Sequence, residues 1–217
     1  MTTSNSISAK EPHVGLFYFL WLGEHGRTKP YDVTKILAAD PNAGYKPDSP
    51  VWGGEGVYHH WGEPLYGYYF SDDEWVIRHH MKLIMQCDVD FLFFDTTNAV
   101  IYENNAKLVM RVLQEYHNEG WQIPKVMYYT NTASGKTVEK IYNAIYKPEY
   151  AKDTWFELDG KPVIVAKEEE CSDTAKHTSP SSNRNGPTIL TSKAAGHGWI
   201  SHDRNASFQA KRLIERS

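Results

Sequence analysis

Four apolar segments separated by amphipathic helical patterns constrain the fold of this chain more than any other feature. Segments that are apolar along their whole length are typical of strands buried on both faces of a parallel sheet. The strands are predicted at 13–23 (HVGLFYFLWLG), 89–98 (VDFLFFDTTN), 125–131 (KVMYYTN) and 162–166 (PVIVA), and the helices at 71–88, 102–120 and 134–146. This alternation predicts an α/β fold with a parallel sheet, either open or closed into a barrel.

Local signals mark the ends of several of these elements. Ser71 precedes Glu74 by three residues, a spacing that predicts a capping box at the start of the first helix. Asp159-Gly160 is predicted to turn a short hairpin that leads into the fourth strand. Residues 24–69, between the first strand and the first helix, are polar, aromatic and rich in Gly and Pro. A connection of this length in a compact domain is usually functional.

Composition excludes several classes of function. The 217 residues carry a formal charge of -4, because 27 acidic residues outnumber 23 basic ones, and the basic residues do not cluster. Nucleic-acid binding is therefore not predicted. No apolar run approaches the about 18 residues that a membrane span needs, so no membrane association is predicted. The first residues show no signal peptide, which makes a cytoplasmic location the default expectation; a start site annotated too far downstream would instead allow secretion.

The character of the sequence changes after about Lys176. Residues 177–217 are rich in Ser, Asn, Arg and Gly and lack sustained periodicity, whereas a further βα unit is expected after four strands. A disordered tail, a linker and a reading-frame error each fit this composition. We favour a frameshifted remnant, because codons for 185–187 and 196–201 permit an aromatic, α/β-like segment in another frame. The predicted domains are therefore 1–176 and an irregular tail at 177–217.

Polar residues follow the end of every predicted strand. They are Glu24 and His25 after the first, Asp95 and Asn98 at the second, Tyr129 and Asn131 at the third, and Glu168 after the fourth. Because the carboxyl ends of parallel strands meet at one edge of a sheet, these side chains are predicted to line a single site. His60 and Trp61, in the long connection, form a further candidate contact patch. The adjacent side chains of His59 and His60 point apart in an extended chain, so no metal site is predicted there.

Two of these residues are candidate catalytic carboxylates. Glycoside cleavage uses one acid to protonate the leaving oxygen and a second to attack or stabilise the anomeric carbon. Asp95 and Glu168 are the candidates, since each follows a buried strand and aromatic residues surround both. Each also has a structural interpretation: Asp95 would cap the following turn, and Glu168–Glu170 would be a solvated run of charge.

Other chemistries have weaker signals. NTASGKT (131–137) resembles a phosphate loop, but it lacks the first glycine of that motif and reads better as a helix start. The chain has no G-x-S-x-G elbow, no H-E-x-x-H and no paired C-x-x-C. No cofactor is predicted.

Three stretches carry a resemblance to a known family, namely HVGLFYFLWLGEHG, HHWGEPLYGYYFSDDEWVIRHHMKLIMQCDVDFLFFDTTN and DGKPVIVA. Through them, residues 1 to about 170 resemble the bacterial glycoside hydrolases related to family 99 (endo-α-mannosidases) and family 71. The resemblance implies a (β/α)8 barrel that acts on carbohydrate. The chain departs from the family in having Thr96, Thr97 and Asn98 where Trp residues are common. The catalytic acids of family 99 lie in the later half of the barrel and have no matching positions here.

These observations predict a partial (β/α)8 TIM barrel, comprising the N-terminal four βα units and an irregular C-terminal tail. The predicted function is hydrolysis of glycosidic bonds in a poly- or oligosaccharide, with activity in doubt because half a barrel is legible. Open sheet edges would favour self-association. A non-catalytic carbohydrate-binding α/β remnant is the first alternative. The second is an open α/β domain that binds a phosphorylated ligand at Gly135-Lys136-Thr137.

Overall fold

The protein is described by a computed structural model that covers residues 13–23, 29–158, 160–171 and 187–191. Its strands are β1 (Gly15–Tyr18), β2 (Tyr31–Asp32), β3 (His59–His60), β4 (Phe91–Thr96), β5 (Lys125–Thr130), β6 (Glu157–Leu158), β7 (Lys161–Ala166) and β8 (Thr188–Thr191). Its helices are α1 (Val33–Ala39), α2 (Glu74–Gln86), α3 (Glu103–Asn118) and α4 (Ser134–Ile141), the last continuing through a π-helical turn at Tyr142–Tyr146. None of the helices in these ranges is long and apolar enough to cross a membrane.

The main sheet is parallel, and its strands lie in chain order. β1, β4, β5, β7 and β8 are consecutive neighbours, and β6 pairs antiparallel with β7 as the predicted hairpin. A doubly wound sheet would reverse its strand order at a switch point, whereas successive neighbours are the arrangement of consecutive strands in a (β/α)8 barrel. The prediction of a parallel α/β sheet is therefore confirmed, and its order is that of part of a barrel.

The number of strands differs from the prediction. β8 lies in the segment expected to be irregular, and it extends the sheet as a fifth parallel strand with Ile189 opposite Ile164. Its sequence, TILT, is only four residues long and stands alone among polar residues, so periodicity gave no signal. The frameshift hypothesis for 177–217 remains a prediction.

Alternation along the strands gives the sheet two apolar faces. The outer face packs against α2, α3 and α4 through alternate strand residues that include Leu92, Phe94, Val126, Tyr128 and Ile164. The inner face carries the intervening residues in a separate cluster, namely Phe91, Phe93, Met127, Phe156, Val163 and Val165. Both faces are buried at the strand centres, which explains why these segments are apolar throughout rather than alternating.

The connection between β1 and α2 contains secondary structure that the sequence did not predict. β2 and β3 pair in parallel as a two-stranded sheet, and Asp32 begins α1 by accepting a hydrogen bond from Lys35 N at 3.0 Å. The predicted capping box at Ser71 is wrong, since Asp73 caps α2 by accepting from Val76 N at 3.2 Å. Ser71 instead ties α2 to the end of β1: its N donates to Leu22 O at 2.9 Å, and its Oγ accepts from Leu22 N at 3.1 Å.

Four alternating charges join α2 to α3. Arg78 and Arg111 each bridge Glu74 and Glu115, so every member contacts two partners of opposite charge. Hydrogen bonds from Arg111 and then Arg78 lower the pKa of Glu74, and the bond from Arg78 does the same to the pKa of Glu115. The four side chains are partly exposed, so the network orients the two helices more than it stabilises them.

The start of α4 packs against the turn that follows β7. A Cβ atom at Gly135 would lie 1.8 Å from the carbonyl oxygen of Glu170, and that oxygen is backbone, which cannot rotate away. Ser134 is buried, and its Oγ accepts a hydrogen bond from Lys167 N at 3.0 Å. Glycine at 135 is therefore required by close approach of two backbone segments.

Replacing Gly135 with alanine tests this contact. In a helix, alanine is normally favoured over glycine by about 1 kcal/mol. Here the clash reverses that sign, and we expect Gly135→Ala to lower the free energy of unfolding by about 2–3 kcal/mol. Gly44→Ala is the matched control, because its Cβ would meet only Leu37 Cδ2 at 3.9 Å. Urea denaturation measures both, and a stabilised Gly135→Ala variant would contradict the packing.

Two partly buried histidines, His80 and His60, make the stability of the protein depend on pH. His80 Nδ1 lies 3.1 Å from the Tyr18 hydroxyl, and the rings of Tyr66 and Tyr69 pack against it. Burial lowers the pKa of His80, and burial likewise lowers the pKa of His60 in β3. Below the pKa of about 6.5 that an unfolded histidine has, the unfolded chain therefore binds more protons than the folded chain.

The free energy of unfolding is expected to fall as pH is lowered from 7.5 to 5.5. The carboxylates whose pKa is lowered, such as Glu74, contribute in a separate window that begins near pH 4.5. The His80→Gln variant should show a shallower dependence over the upper window whatever its stability at pH 7.5. Urea denaturation at four pH values measures the slope, and an unchanged slope in His80→Gln would refute the assignment.

Candidate functional site

Asp95 and Tyr129 lie side by side at the carboxyl ends of β4 and β5. The strand register places them directly opposite each other, two positions beyond the inner-face pair Phe93 and Met127, so both belong to the inner face. Asp95 is half-buried, and its Oδ1 accepts from Thr97 N at 3.0 Å. Burial raises the pKa of the Tyr129 phenol, and the negative charge of Asp95 raises it further. The structure thus brings two predicted site residues together.

The threonines next to this pair are structural. Thr96 and Thr130 point to the outer face and are fully buried. Thr96 Oγ1 donates to Tyr129 O at 2.8 Å, and Thr130 Oγ1 donates to Val165 O at 3.1 Å. These bonds fasten neighbouring strands to each other at their ends, which holds Asp95 and Tyr129 in register.

The two amide side chains among the predicted site residues are those of Asn98 and Asn131, and the hydrogen bonds of Asn98 fix its orientation. Asn98 is exposed, with Nδ2 donating to the Tyr102 hydroxyl at 2.6 Å and Oδ1 accepting from Val100 N at 3.2 Å. Its amide therefore shapes the turn after β4. Asn131 is exposed directly after β5, beside the Tyr129 end of the strand.

The three consecutive glutamates after β7 have different environments. Glu168–Glu170 forms a 3-10 turn whose side chains are exposed. Glu170 Oε2 nevertheless accepts from Ser134 N at 2.7 Å, and its Oε1 lies 3.4 Å from Lys167 Nζ. Glu170 therefore caps the start of α4. Glu168, the candidate acid, stands at the beginning of the turn, two residues beyond the end of β7.

The cap on α4 bears on the phosphate-loop alternative. An anion site at a helix start needs backbone N–H groups that point to the ligand. Here the Glu170 carboxylate accepts a hydrogen bond from the Ser134 amide, and the backbone carbonyl of Glu170 packs against Gly135. Thr137 is buried, and its Oγ1 donates to Ala133 O at 3.0 Å. A carboxylate of the chain thus takes the place that a phosphate would occupy.

A cleft of about 120 Å³ lies beyond the end of β1. We call it the β1 cleft; its walls are Leu22, Gly23, Lys29, Pro30, Tyr58, His60, Tyr68, Tyr69 and Phe70. His60 belongs to it as a wall residue. Trp61 does not: its side chain is 84% exposed, and its carbonyl accepts from Thr34 N at 3.2 Å. Glu24 and His25 lie outside the described residues.

A row of aromatic rings connects the Asp95 region with the β1 cleft. We call it the aromatic track. Successive ring centroids are separated by 5.7 Å (Tyr129–Phe17), 6.4 Å (Phe17–Phe19), 6.4 Å (Phe19–Trp21) and 5.0 Å (Trp21–Tyr58). Phe19 is 53% exposed, although phenylalanine is usually buried. Phe17, Phe19 and Trp21 were not among the predicted site residues, although a spacing of two is the sequence signal for a shared face of a strand. Phe17 packs against the inner-face cluster, whereas Trp21, beyond the end of β1, packs against the outer-face cluster.

Metal ligation finds no support in the ranges that the structure describes. Within them, His, Cys, Asp and Glu side chains do not gather in groups of three or more that could hold an ion. The described site residues are an acid, phenols, amides and partly exposed rings, and these groups suit hydrogen bonding and stacking with a polar ring.

Comparisons with known proteins gave matches among solved structures alone. No model of a protein family matches the chain, and no curated protein matches it. A GH99 endo-α-mannosidase from Bacteroides thetaiotaomicron bound to bis-tris propane matches with a TM-score of 0.49 and 16% identity over 83% of this chain and 52% of that chain. A further structure of the GH99 endo-α-mannosidase from this organism matches with a TM-score of 0.47 and 14% identity over 83% of this chain and 55% of that chain. The chain spans about half the length of these proteins, and the likeness concerns fold alone.

The contact between Asp95 and Tyr129 can be tested without a ligand. Removing the charge with Asp95→Asn should lower the pKa of Tyr129, because the carboxylate disfavours the phenolate. The measurement is a pH titration by NMR of protein with ¹³C-labelled tyrosine, with Tyr129→Phe to assign the signal. Asp90→Asn, at the opposite end of the sheet, is the control and should leave that pKa unchanged. An equal pKa in Asp95→Asn and wild type would contradict the proximity.

Proposed function

We propose that this chain is part of a (β/α)8-type carbohydrate-active protein that binds an oligo- or polysaccharide along the aromatic track and hydrolyses its glycosidic bonds. The observation that carries the proposal is the position of Asp95 and Tyr129 at one end of a partly exposed row of rings. Sugar rings present apolar C–H faces to aromatic side chains and hydroxyls to carboxylates and amides. An acid beside a partly exposed aromatic row offers both kinds of contact.

The proposed chemistry uses Asp95 and Glu168 as the two carboxylates. One protonates the leaving oxygen, and the other attacks or stabilises the positively charged anomeric carbon. Tyr129 is proposed to donate its phenolic proton to the sugar, since burial and the charge of Asp95 keep that phenol protonated. Asn98, Asn131, His60 and Trp61, together with Glu24 and His25, are retained as proposed sugar contacts.

Non-catalytic carbohydrate binding is the second candidate. It is favoured by the exposure of Glu168 on a 3-10 turn, because general acids in glycosidases are tuned by burial. The aromatic track and Asp95 would serve binding equally well. The two candidates share a ligand class and differ in turnover.

Self-association through the sheet edges is a separate proposal. In the described part of the chain, β1 pairs with β4 alone and β8 pairs with β7 alone. β1 reads GLFY and has no charged residue that would oppose pairing with another strand. Sedimentation velocity over a range of protein concentrations would measure this association.

Binding to a panel of tetrasaccharides tests the proposed ligand class. Maltotetraose, cellotetraose, xylotetraose and α-linked mannotetraose are titrated by calorimetry. At least one should bind, and Trp21→Ala should weaken its binding about tenfold, since stacking on an aromatic ring contributes about 1 kcal/mol or more. Trp75→Ala is the matched control, because Trp75 is 56% exposed and lies outside the aromatic track.

Hydrolysis of aryl glycosides separates the two candidates. Catalysis predicts turnover that Glu168→Gln and Asp95→Asn each reduce by at least 100-fold, about 2.7 kcal/mol of barrier, with tetrasaccharide binding retained in Glu168→Gln. Binding without turnover in the wild type supports the non-catalytic function. Absence of binding to all four tetrasaccharides would refute both.

A further inference from the structure

Asp32 and Tyr68 form a tight pair behind the β1 cleft. The Tyr68 hydroxyl donates to Asp32 Oδ2 at 2.5 Å, and Asp32 Oδ1 accepts from Lys35 N at 3.0 Å. Asp32 is only 5% exposed and does not line the cleft, whereas Tyr68 does. Each oxygen of the Asp32 carboxylate therefore has a donor, and the carboxylate reaches the cleft through Tyr68.

The bond fixes where the phenolic proton lies. The hydrogen bond from Tyr68 is the leading cause that lowers the pKa of Asp32, and the Lys35 amide adds to it. The same bond raises the pKa of Tyr68. At neutral pH the carboxylate is thus charged and the phenol is protonated, with its single proton given to Asp32. A hydrogen bond with the Lys35 side chain is the second cause acting on the pKa of Tyr68, which it lowers, so Lys35 takes one lone pair of Tyr68 Oη. The other lone pair is left for a ligand in the cleft that Tyr68 lines, and it can only accept.

The remaining walls of the β1 cleft suit a hydroxylated ring. Tyr58 belongs both to the cleft and to the end of the aromatic track, so the two surfaces are continuous. The His60 ring lies 5.0 Å from the Tyr68 ring, and burial lowers the pKa of His60, so its ring is neutral near pH 7 and offers one donor. Tyr69 and Phe70 complete an aromatic enclosure.

We infer that Asp32 converts Tyr68 into a one-way hydrogen-bond acceptor and that the β1 cleft thereby selects a saccharide unit through a hydroxyl that donates to Tyr68. Asp32 is a positioning residue, and Tyr68 is the residue that contacts the sugar. The inference rests on the proposed carbohydrate ligand and adds to it a subsite with a defined hydrogen-bond polarity. A sugar whose hydroxyl is replaced by hydrogen or an ether at this position would leave Tyr68 Oη without a donor.

Asp32→Asn reverses the polarity while preserving the local fold. Asparagine is a favourable N-cap, and its Oδ1 can still accept from Lys35 N. Its Nδ2 replaces the carboxylate oxygen and donates to Tyr68, so the phenolic proton must turn towards the cleft. We expect the affinity for the best-binding tetrasaccharide of the panel to fall about tenfold in Asp32→Asn. Tyr68→Phe, which deletes the acceptor, should cause a loss of similar size.

The double variant shows whether Asp32 acts through Tyr68. In the Tyr68→Phe background, Asp32→Asn should cause no further loss of affinity, since the hydroxyl that it orients is gone. Asp40→Asn is the matched control: Asp40 follows the other end of α1, pairs with Lys46 at 3.1 Å and does not line the β1 cleft, so its loss should leave affinity unchanged. Urea denaturation confirms that each variant is folded before titration.

A ligand-free measurement tests the pair independently of the proposed function. Asp32→Asn should lower the pKa of Tyr68 in the ¹³C-tyrosine NMR titration, because the carboxylate is what raises it. Wild-type affinity in Asp32→Asn, or a further loss of affinity in the double variant, would overturn the inference while leaving carbohydrate binding intact. Failure of the wild type to bind any of the four tetrasaccharides would refute the proposed function itself.

Discussion

The parallel pairing of β4 with β5 is the constraint on which the rest of the structure depends. Six consecutive residues of each strand are in register, from Phe91 opposite Lys125 to Thr96 opposite Thr130. Because side chains alternate between faces, the register that buries Phe93 beside Met127 also places Asp95 beside Tyr129 two positions later. A shift by one residue would move the acid to the helix side, where the outer core has no place for a charge. The apolar core and the polar site are therefore consequences of one register.

Two carboxylates that cap helices, the buried Asp32 and the exposed Glu170, differ in what their second oxygen contacts. Asp32 and Glu170 each accept a backbone N–H at the start of a helix, and their geometry is fixed by that bond. The second oxygen of Glu170 lies 3.4 Å from Lys167 Nζ in the same turn, so this carboxylate holds α4 against the turn after β7. Asp32 has its second oxygen on Tyr68, which lines a cleft, and so a capping residue also sets the chemistry of a wall. Sequence reasoning treats such acids alike, because their partners come from distant segments.

The sequence predicted those features that depend on local pattern. Continuous apolar runs located β4, β5 and β7, and helical periodicity located α2 and α3, because burial of these segments requires such patterns. Asp95 and Tyr129, which the sequence placed at two strand ends, lie opposite each other because β4 and β5 are adjacent and parallel. The β1 cleft was not predicted, and His60 is the one wall residue that the sequence analysis had named as a candidate contact. The walls come from residues 22–23, 29–30, 58, 60 and 68–70, and no periodicity links them. The wrong cap at Ser71 has the same origin: that hydroxyl bonds Leu22, a tertiary partner that a local motif cannot show.

The difference between Asp95 and Glu168 bears on what the site can do. Asp95 is half-buried, and it is close enough to Tyr129 that its charge raises the pKa of that phenol. Glu168 lies exposed on a turn, where water and salt screen its charge. Stabilising a cationic transition state requires fixed groups in a region that excludes water. Of the two proposed carboxylates, the half-buried Asp95 meets that requirement better than the exposed Glu168. The proposed catalysis by this pair of acids therefore needs a ligand that excludes water from Glu168, whereas the proposed sugar binding along the aromatic track does not depend on Glu168.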